Sequence, residues 1–366
     1  MVRTCFHVAW CLLVAPCTLS QNPRLEVHEG VDIVWSSPAH RKKPRAVLVL
    51  FHRAGRSGLS WWPASKSCPN CDGLPEESRI TSSGSAAGFA TAALSCVDSR
   101  SRRWSQRDGP MVAHSLVSLM SARKWRGLPL FVVGVGCGAG FVATVLPSAL
   151  PPSVEIAGVH IQLMSDPAGL KPSVIAKAFK NGQGVVGAGW FGRAKAALNN
   201  PPSRTVAVMY VTRDATVARA AKAIYAAWQQ AGANVLEQHV NPLPVKDLYF
   251  SNTIQSLRAV ESAMLVAKLR KAKFLSLDGF LLEDPMTSEW RSVVSAPIGS
   301  SGAFELGVLR SVVQEAHRSP LRSPIGEAIN RAFAFSEVSG HAINDTLAFF
   351  VAALKQQIPV GEPSPS

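Results

Sequence analysis

No second Cys-X-X-Cys pair accompanies Cys68 and Cys71, and no His-X3-His occurs, so the chain offers zinc only half of a usual ligand set. No metal and no cofactor are expected. Acidic residues are few, 24 Asp and Glu against 38 Lys and Arg, and the formal net charge is +14. The basic clusters Arg41-Lys42-Lys43, Arg100 to Arg103, Arg123-Lys124-Trp125-Arg126 and Lys268 to Lys273 are scattered rather than gathered in one aromatic-laced stripe. A solvated surface fits that scatter better than a nucleic-acid footprint, and no nucleic-acid partner is expected. No repeat of 20–50 residues is visible, which excludes a solenoid or propeller. No transmembrane segment is expected either. The apolar stretch Leu128–Leu146 carries Gly134, Gly136, Gly138 and Gly140, with Gly127 just before it, and so reads as a strand, a tight turn and a buried helix.

The 366 residues suffice for one large α/β domain with a lid, or for two ordinary domains. Arg3, the apolar run Cys5 to Pro16 and the small residues around Thr18-Leu19-Ser20 read as a secretory leader over residues 1–20. The alternatives are a short buried N-terminal element or an uncleaved leader that anchors the chain to a membrane. Cys5, Cys11 and Cys17 belong to this segment, which leaves Cys68, Cys71, Cys96 and Cys137. In an oxidising compartment Cys68 and Cys71 are placed to close a tight disulfide. The expected localisation is secreted or within the secretory pathway. Residues 359–366, rich in Pro, Ser and Glu, read as a disordered tail.

Short apolar runs alternate with amphipathic ones, the pattern of a mainly parallel sheet flanked by helices. Strands are expected at Val31–Trp35, Ala46–Phe51, Phe89–Ser95, Leu130–Val135, Val154–Ile161, Thr205–Val211 and Ala233–Val240. Helices are expected at Met111–Lys124, about Gly138 to Val145, Asp214–Gln230, Thr253–Ala272, Ala303–Arg318 and Ile343–Gln357. The stretch 245–335 fits no strand pattern and reads as a helical lid inserted late in a domain spanning 21–358.

Three elements carry chemistry. The strand Ala46–Phe51 runs into His52-Arg53-Ala54-Gly55, a His-X-X-Gly loop. In α/β hydrolases this loop, usually beginning His-Gly, supplies one oxyanion-hole amide. His52 and Arg53 are thus candidate oxyanion-hole residues, with Cys137 supplying the second amide, and Arg53 stands where glycine is usual. The strand Phe131–Val135 then enters Gly134-Val135-Gly136-Cys137-Gly138, the layout of a nucleophile elbow. Glycines two before and two after the apex put Gly136 at the nucleophile position itself, and glycine has no side chain to attack a carbonyl. Slipping the elbow by one makes Cys137 an alternative nucleophile, at the expense of Val135 where a glycine is wanted. A dinucleotide loop fits only as Gly-X-Gly-X-X-Ala, with Glu155 as its distant acidic partner, which is a weak match. Lastly, Asp214 follows the strand Thr205–Val211 and His341 lies in Ser339-Gly340-His341, in the chain order elbow, acid, base. Read singly, Asp214 is a helix cap and His341 a helix-start residue.

The blocks Phe51-His52, Trp61-Trp62-Pro63, Cys68-Pro69-Asn70-Cys71-Asp72-Gly73-Leu74-Pro75-Glu76-Glu77, Asp98 to Ser105 and Asn241-Pro242-Leu243-Pro244 resemble a poorly characterised plant and algal serine-hydrolase-like group of the α/β-hydrolase superfamily. The resemblance covers roughly 30–358. It implies the α/β-hydrolase fold and a Ser, Asp, His triad acting on an ester or acyl bond, with Asp214 and His341 matching acid and base. It also implies a small ester or acyl ligand. The serine position falls on Gly136 and the oxyanion glycine on Arg53. The expectation is therefore a hydrolase-fold protein impaired in serine catalysis that binds or interacts through the old acyl pocket. The alternatives are an active hydrolase using Cys137, His341 and Asp214, or slow hydrolysis by a water that His341 activates. Asn344-Asp345-Thr346 is a glycosylation sequon close to His341.

Overall fold

The computed structural model describes residues 22–38, 43–162, 205–230, 232–296, 313–314, 323–334 and 338–356. The expected leader at 1–20, the tail at 359–366, Arg41 and Lys42, the turn Ser300-Ser301-Gly302 and nearly all of the helix expected at Ala303–Arg318 lie outside them. Two antiparallel strands open the described chain, β1 (Arg24–His28) and β2 (Val31–Ser36). Glu29 and Gly30 link them, both at positive φ (50° and 78°), as a two-residue hairpin requires. There follow β3 (Ala46–Phe51), α1 (Pro75–Ala86), β4 (Phe89–Leu94), α2 (Asp108–Ala122) and β5 (Leu130–Val135). Then come α3 (Cys137–Thr144), α4 (Leu146–Ala149), β6 (Ile156–Gln162), β7 (Thr205–Val211), α5 (Ala215–Gln230) and β8 (Asn234–Val240).

The strands form one sheet in the order β1-β2-β4-β3-β5-β6-β7-β8. β2 pairs antiparallel with β1 and β4, and every later pairing is parallel. This is the α/β-hydrolase arrangement that the sequence pattern led us to expect. β3, β4, β5 and β7 are buried at every position, which explains their uninterrupted apolar runs, because helices cover both faces. β1 carries charge and is partly exposed, as suits an edge.

Beyond the sheet come α6 (Tyr249–Thr253), α7 (Ala259–Lys271), α8 (Trp290–Ser295), α9 (Pro324–Phe333) and α10 (Ile343–Gln356). Among the described residues, 245–296 and 323–334 build a separate apolar core around Phe250, Leu265, Trp290 and Ile329. The helix expected over Thr253–Ala272 begins only at Ala259, and Thr253 instead ends the short helix before it. The chain breaks at Ile254 to Arg258, where Ile254 is extended, and Ser262 of α7 accepts the Phe250 N–H at 3.0 Å. Folding back brings Phe250 into one core with Leu265 and Leu269, from which a continuous helix would hold it away. No helix among the described residues is long and apolar enough to cross a membrane.

α10 closes the sheet's flank. Phe131 of β5 lies between Phe89, with ring centroids 5.6 Å apart and planes at 3°, and Phe350 of α10, at 4.5 Å. Truncating Phe131→Ala opens a cavity under two rings and should lower stability by about 3–5 kcal/mol. Equilibrium denaturation checks this, with a shift in midpoint and an unchanged slope as the expected result.

Candidate functional site

β5 passes into α3 through Gly136 alone, at φ 56° and ψ −118°, a region that side-chain-bearing residues enter only under strain. The Gly136 N–H donates to the Gln162 carbonyl at 2.9 Å, and its own carbonyl accepts from Ala139 at 3.1 Å. The flanking glycines are steric necessities. A Cβ on Gly134 would lie 2.6 Å from the Ala139 Cα, and one on Gly138 would lie 2.5 Å from the Phe51 carbonyl oxygen. The helix is thus pressed onto the strand ends as an elbow requires. A Cβ on Gly136 would lie 3.2 Å from the Arg53 Cβ, so Arg53 roofs the apex.

His52 is a clamp rather than a proton carrier. Its buried ring donates from Nδ1 to the Arg53 carbonyl at 2.7 Å and accepts the Cys96 N–H on Nε2 at 3.1 Å. Trp104 packs on the ring at 4.9 Å and donates its indole N–H to the His52 carbonyl at 2.8 Å. Burial lowers the His52 pKa to about 4. Arg53 is half-buried, and its carbonyl also accepts the Arg56 N–H at 3.2 Å.

Cys137 opens α3 half-buried, with its thiol 4.0 Å from the His52 carbonyl. A helix N-terminus favours thiolate, but burial outweighs it here and pushes the thiol up. Burial likewise pushes the Cys96 thiol up to about 12. Cys68 and Cys71 are bonded to each other, as the spacing led us to expect.

Asp214 ends the turn after β7. Its Oδ1 accepts the Val217 N–H at 2.9 Å, capping α5. His341 is exposed, and its N–H donates to the Ser339 hydroxyl at 3.3 Å. Its loop is pinned from three sides. Gln162, at the end of β6, donates to the Ser339 carbonyl at 3.0 Å and accepts its N–H at 3.3 Å. Glu76, in the first turn of α1, accepts the Gly340 N–H at 2.6 Å. Gln238 of β8 donates to the Ala342 carbonyl at 3.0 Å.

Gln162 therefore holds both Gly136 and Ser339, which brings the elbow and the loop of His341 to the same strand end, with Arg53 above the apex. Among the described residues no hydrogen bond joins Cys137 to His341 or His341 to Asp214. Glu76, Gln162 and Gln238 were not singled out as site residues. Glu76 lies in the Cys68 to Glu77 block without a signal of its own, and two glutamines on parallel strands carry no motif.

The buried histidines make stability depend on pH. His52, and His160 with a pKa near 3, are held neutral in the folded chain and bind protons more readily when it is unfolded. Their contribution is complete above about 6.5 and is lost as pH falls through that value toward 4 and 3. The Tm should be nearly flat from pH 7 to 8 and drop steadily below 6. Calorimetry across pH 4–8 measures this.

Neither the models of known families nor the curated proteins contain a match to this chain. Solved structures do. A thermostable carboxyl esterase from Bacillus coagulans, in complex with glycerol, is 13% identical over 60% of this chain and 90% of its own, with a TM-score of 0.37. Carboxyl esterase 2 from Tuber melanosporum matches at 13% identity over 60% and 77%, with a TM-score of 0.37. A thermostable esterase from Pseudomonas putida matches at 15% over 67% and 81%, with a TM-score of 0.38. The sheet order and the elbow stand independently of these likenesses. They make the chain a protein of α/β-hydrolase fold, with esterases among the structures similar to it.

Proposed function

We propose that this chain uses the α/β-hydrolase scaffold to bind a small ester or acyl ligand at the elbow and forms no acyl-enzyme through a serine there. One observation carries the reading. The apex residue of the strand–turn–helix is Gly136, at φ 56°, and Arg53 crowds the place a side chain would enter, its Cβ 3.2 Å from where one would begin. Without a nucleophile, a site of this kind retains only binding and whatever oxyanion stabilisation remains. The blocks that resemble a plant and algal serine-hydrolase-like group are in keeping with descent from an active esterase. The reading in which Cys137, His341 and Asp214 form a triad draws less support, because burial keeps the thiol protonated and Asp214 caps α5. The bonded Cys68 and Cys71 support passage through an oxidising secretory compartment, with a leader at 1–20 either removed or kept as an anchor. Asn344 is exposed on α10 and open to a glycan, whereas the hydroxyl of Thr346 is buried against His160 and Gln238.

A fluorophosphonate probe should leave the purified protein unlabelled, and stoichiometric labelling at any serine would overturn the proposal. On a panel of short esters, Gly136→Ser alone should gain little, since its Cβ meets Arg53 at 3.2 Å. Gly136→Ser with Arg53→Gly restores the loop glycine as well, and should exceed the single variant by on the order of 100-fold, the worth of one oxyanion donor. Turnover by the native protein that vanishes in Cys137→Ala would replace this reading with the cysteine one.

A further inference from the structure

Arg56 follows the roof residue by three positions and is 2% exposed. Its Nε and both terminal nitrogens are buried, and none has an acceptor among the described residues. A guanidinium does not lose its proton, so it cannot escape burial by becoming neutral as a lysine or histidine can. A buried charge without a partner is among the most unfavourable arrangements a protein can hold. The same loop leaves the indole N–H groups of Trp61 and Trp62 buried without an acceptor as well. Residues 56–62 thus present buried donors with nothing in the described chain to receive them.

Asp108 does not supply the missing charge. Asp108 acts electrostatically on His52, as Arg56 does, but its oxygens are occupied. Oδ1 accepts from the Val97 N–H at 2.7 Å, and Oδ2 from the N–H and hydroxyl of Ser105, both at 2.7 Å. Other arginines cluster here. Arg102 accepts the Gly55 N–H on its carbonyl at 3.2 Å and its charge is felt at the His52 ring, while the charge of Arg103 is felt at the Cys137 thiol. With Arg53 over the apex, the charges on this side of the elbow are thus basic ones from two loops.

The geometry points to an oxyanion site centred on Arg56, so that the ligand of this fold carries a carboxylate, received by the Arg56 fork beside the elbow. The inference deepens the binding reading and rests on it. A guanidinium offers parallel N–H donors matched to two oxygens of one group. Trp61 and Trp62, in the same loop, are fully buried, and an apolar setting of this kind penalises a doubly charged phosphate more than a singly charged acid.

The test is thermal melting and titration calorimetry of the full chain at constant ionic strength, with chloride, acetate, butyrate, hexanoate, phosphate and the neutral ester methyl butyrate. Butyrate or hexanoate should raise the Tm saturably, and more than chloride, phosphate or the neutral ester does. Arg56→Met, which keeps the stem and removes the charge, should weaken that binding at least tenfold. In buffers free of carboxylate it should melt no lower than the native protein. Arg56→Lys, a charge without the fork, should bind with intermediate affinity and guards against loss of folding in the methionine variant. A response to chloride or phosphate equal to that of butyrate overturns the inference, as does an unchanged carboxylate response in Arg56→Met. Arg56→Met/Glu77→Gln regaining stability that each single change loses also overturns it, by showing Glu77 to be the counter-charge. Binding of methyl butyrate without any carboxylate effect would sink the oxyanion site while leaving the binding reading intact. Serine labelling would do the reverse.

Discussion

Contact between α3 and the ends of β3 and β5 leaves no room for a Cβ at Gly134 or Gly138, and the rest of the site depends on that approach. It fixes where the turn must lie and forces Gly136 into a conformation at φ 56°. It also sets the Phe51 and His52 carbonyls directly against the helix. A chain that keeps this packing keeps the elbow whether or not the apex bears a nucleophile, because the constraint is steric and lives in the flanking residues. Scaffold and chemistry are separable for that reason. One apex residue can change while strand, turn and helix stay where they were.

The remaining elements reach the elbow through polar side chains at strand ends. Gln162 serves two segments at once, with its carbonyl on Gly136 and its amide on Ser339. Glu76 joins the start of α1 to Gly340, and the Glu76 N–H in turn meets a carboxylate oxygen of Glu327 in α9 at 3.4 Å. Carboxylates at the start of a helix sit favourably in its dipole, so α1 accepts Glu76, Glu77 and Glu327 at its N-terminal end. That same end is where the second apolar core meets the sheet domain. Leu243 donates to the Ala332 carbonyl at 2.8 Å, and Arg213 lies over the Phe333 ring at 4.2 Å. The loop of His341 is therefore placed by contacts beside those that join the second apolar core to the sheet.

What could be read from the chain follows burial. β3, β5 and β7 are covered on both faces and announce themselves as apolar runs, which the structure returns residue for residue. β1 was invisible because an edge strand with Arg24, Glu26 and His28 has no such run. α1 was missed because Ser78, Thr81, Ser82, Ser83, Gly84 and Ser85 favour other conformations locally. Its helix is held instead by tertiary contacts: Ile80 in the core, Thr81 donating to the Trp61 carbonyl at 3.0 Å, and Gly84 closely opposed to Leu48 and Thr91. The elbow was legible because steric demands on glycine leave a fixed spacing. The pinning of His341 was not, since Glu76, Gln162 and Gln238 act through single hydrogen bonds across separations of 264, 177 and 104 residues.

Charge was the least legible feature, and the reason is instructive. The basic excess of the whole chain reads as a solvated surface. Arg56 departs from it, because its local sequence, Ala54-Gly55-Arg56-Ser57-Gly58, is that of an exposed turn. Burial comes from elsewhere. Gly58 packs on the Ala93 backbone with no space for a side chain and donates its N–H to Ser95 at 3.0 Å, drawing the loop inward over the sheet. The loop that elsewhere offers a glycine amide to an oxyanion here brings an arginine inside. A change from neutral dipole to full charge at that place alters what the scaffold can receive. A backbone amide stabilises charge that develops during a reaction, whereas a buried guanidinium favours a ligand that arrives already ionised. On the proposed reading, a glycine at the apex and an arginine brought inside belong together, as features of a site that holds an acid rather than transforming an acyl group.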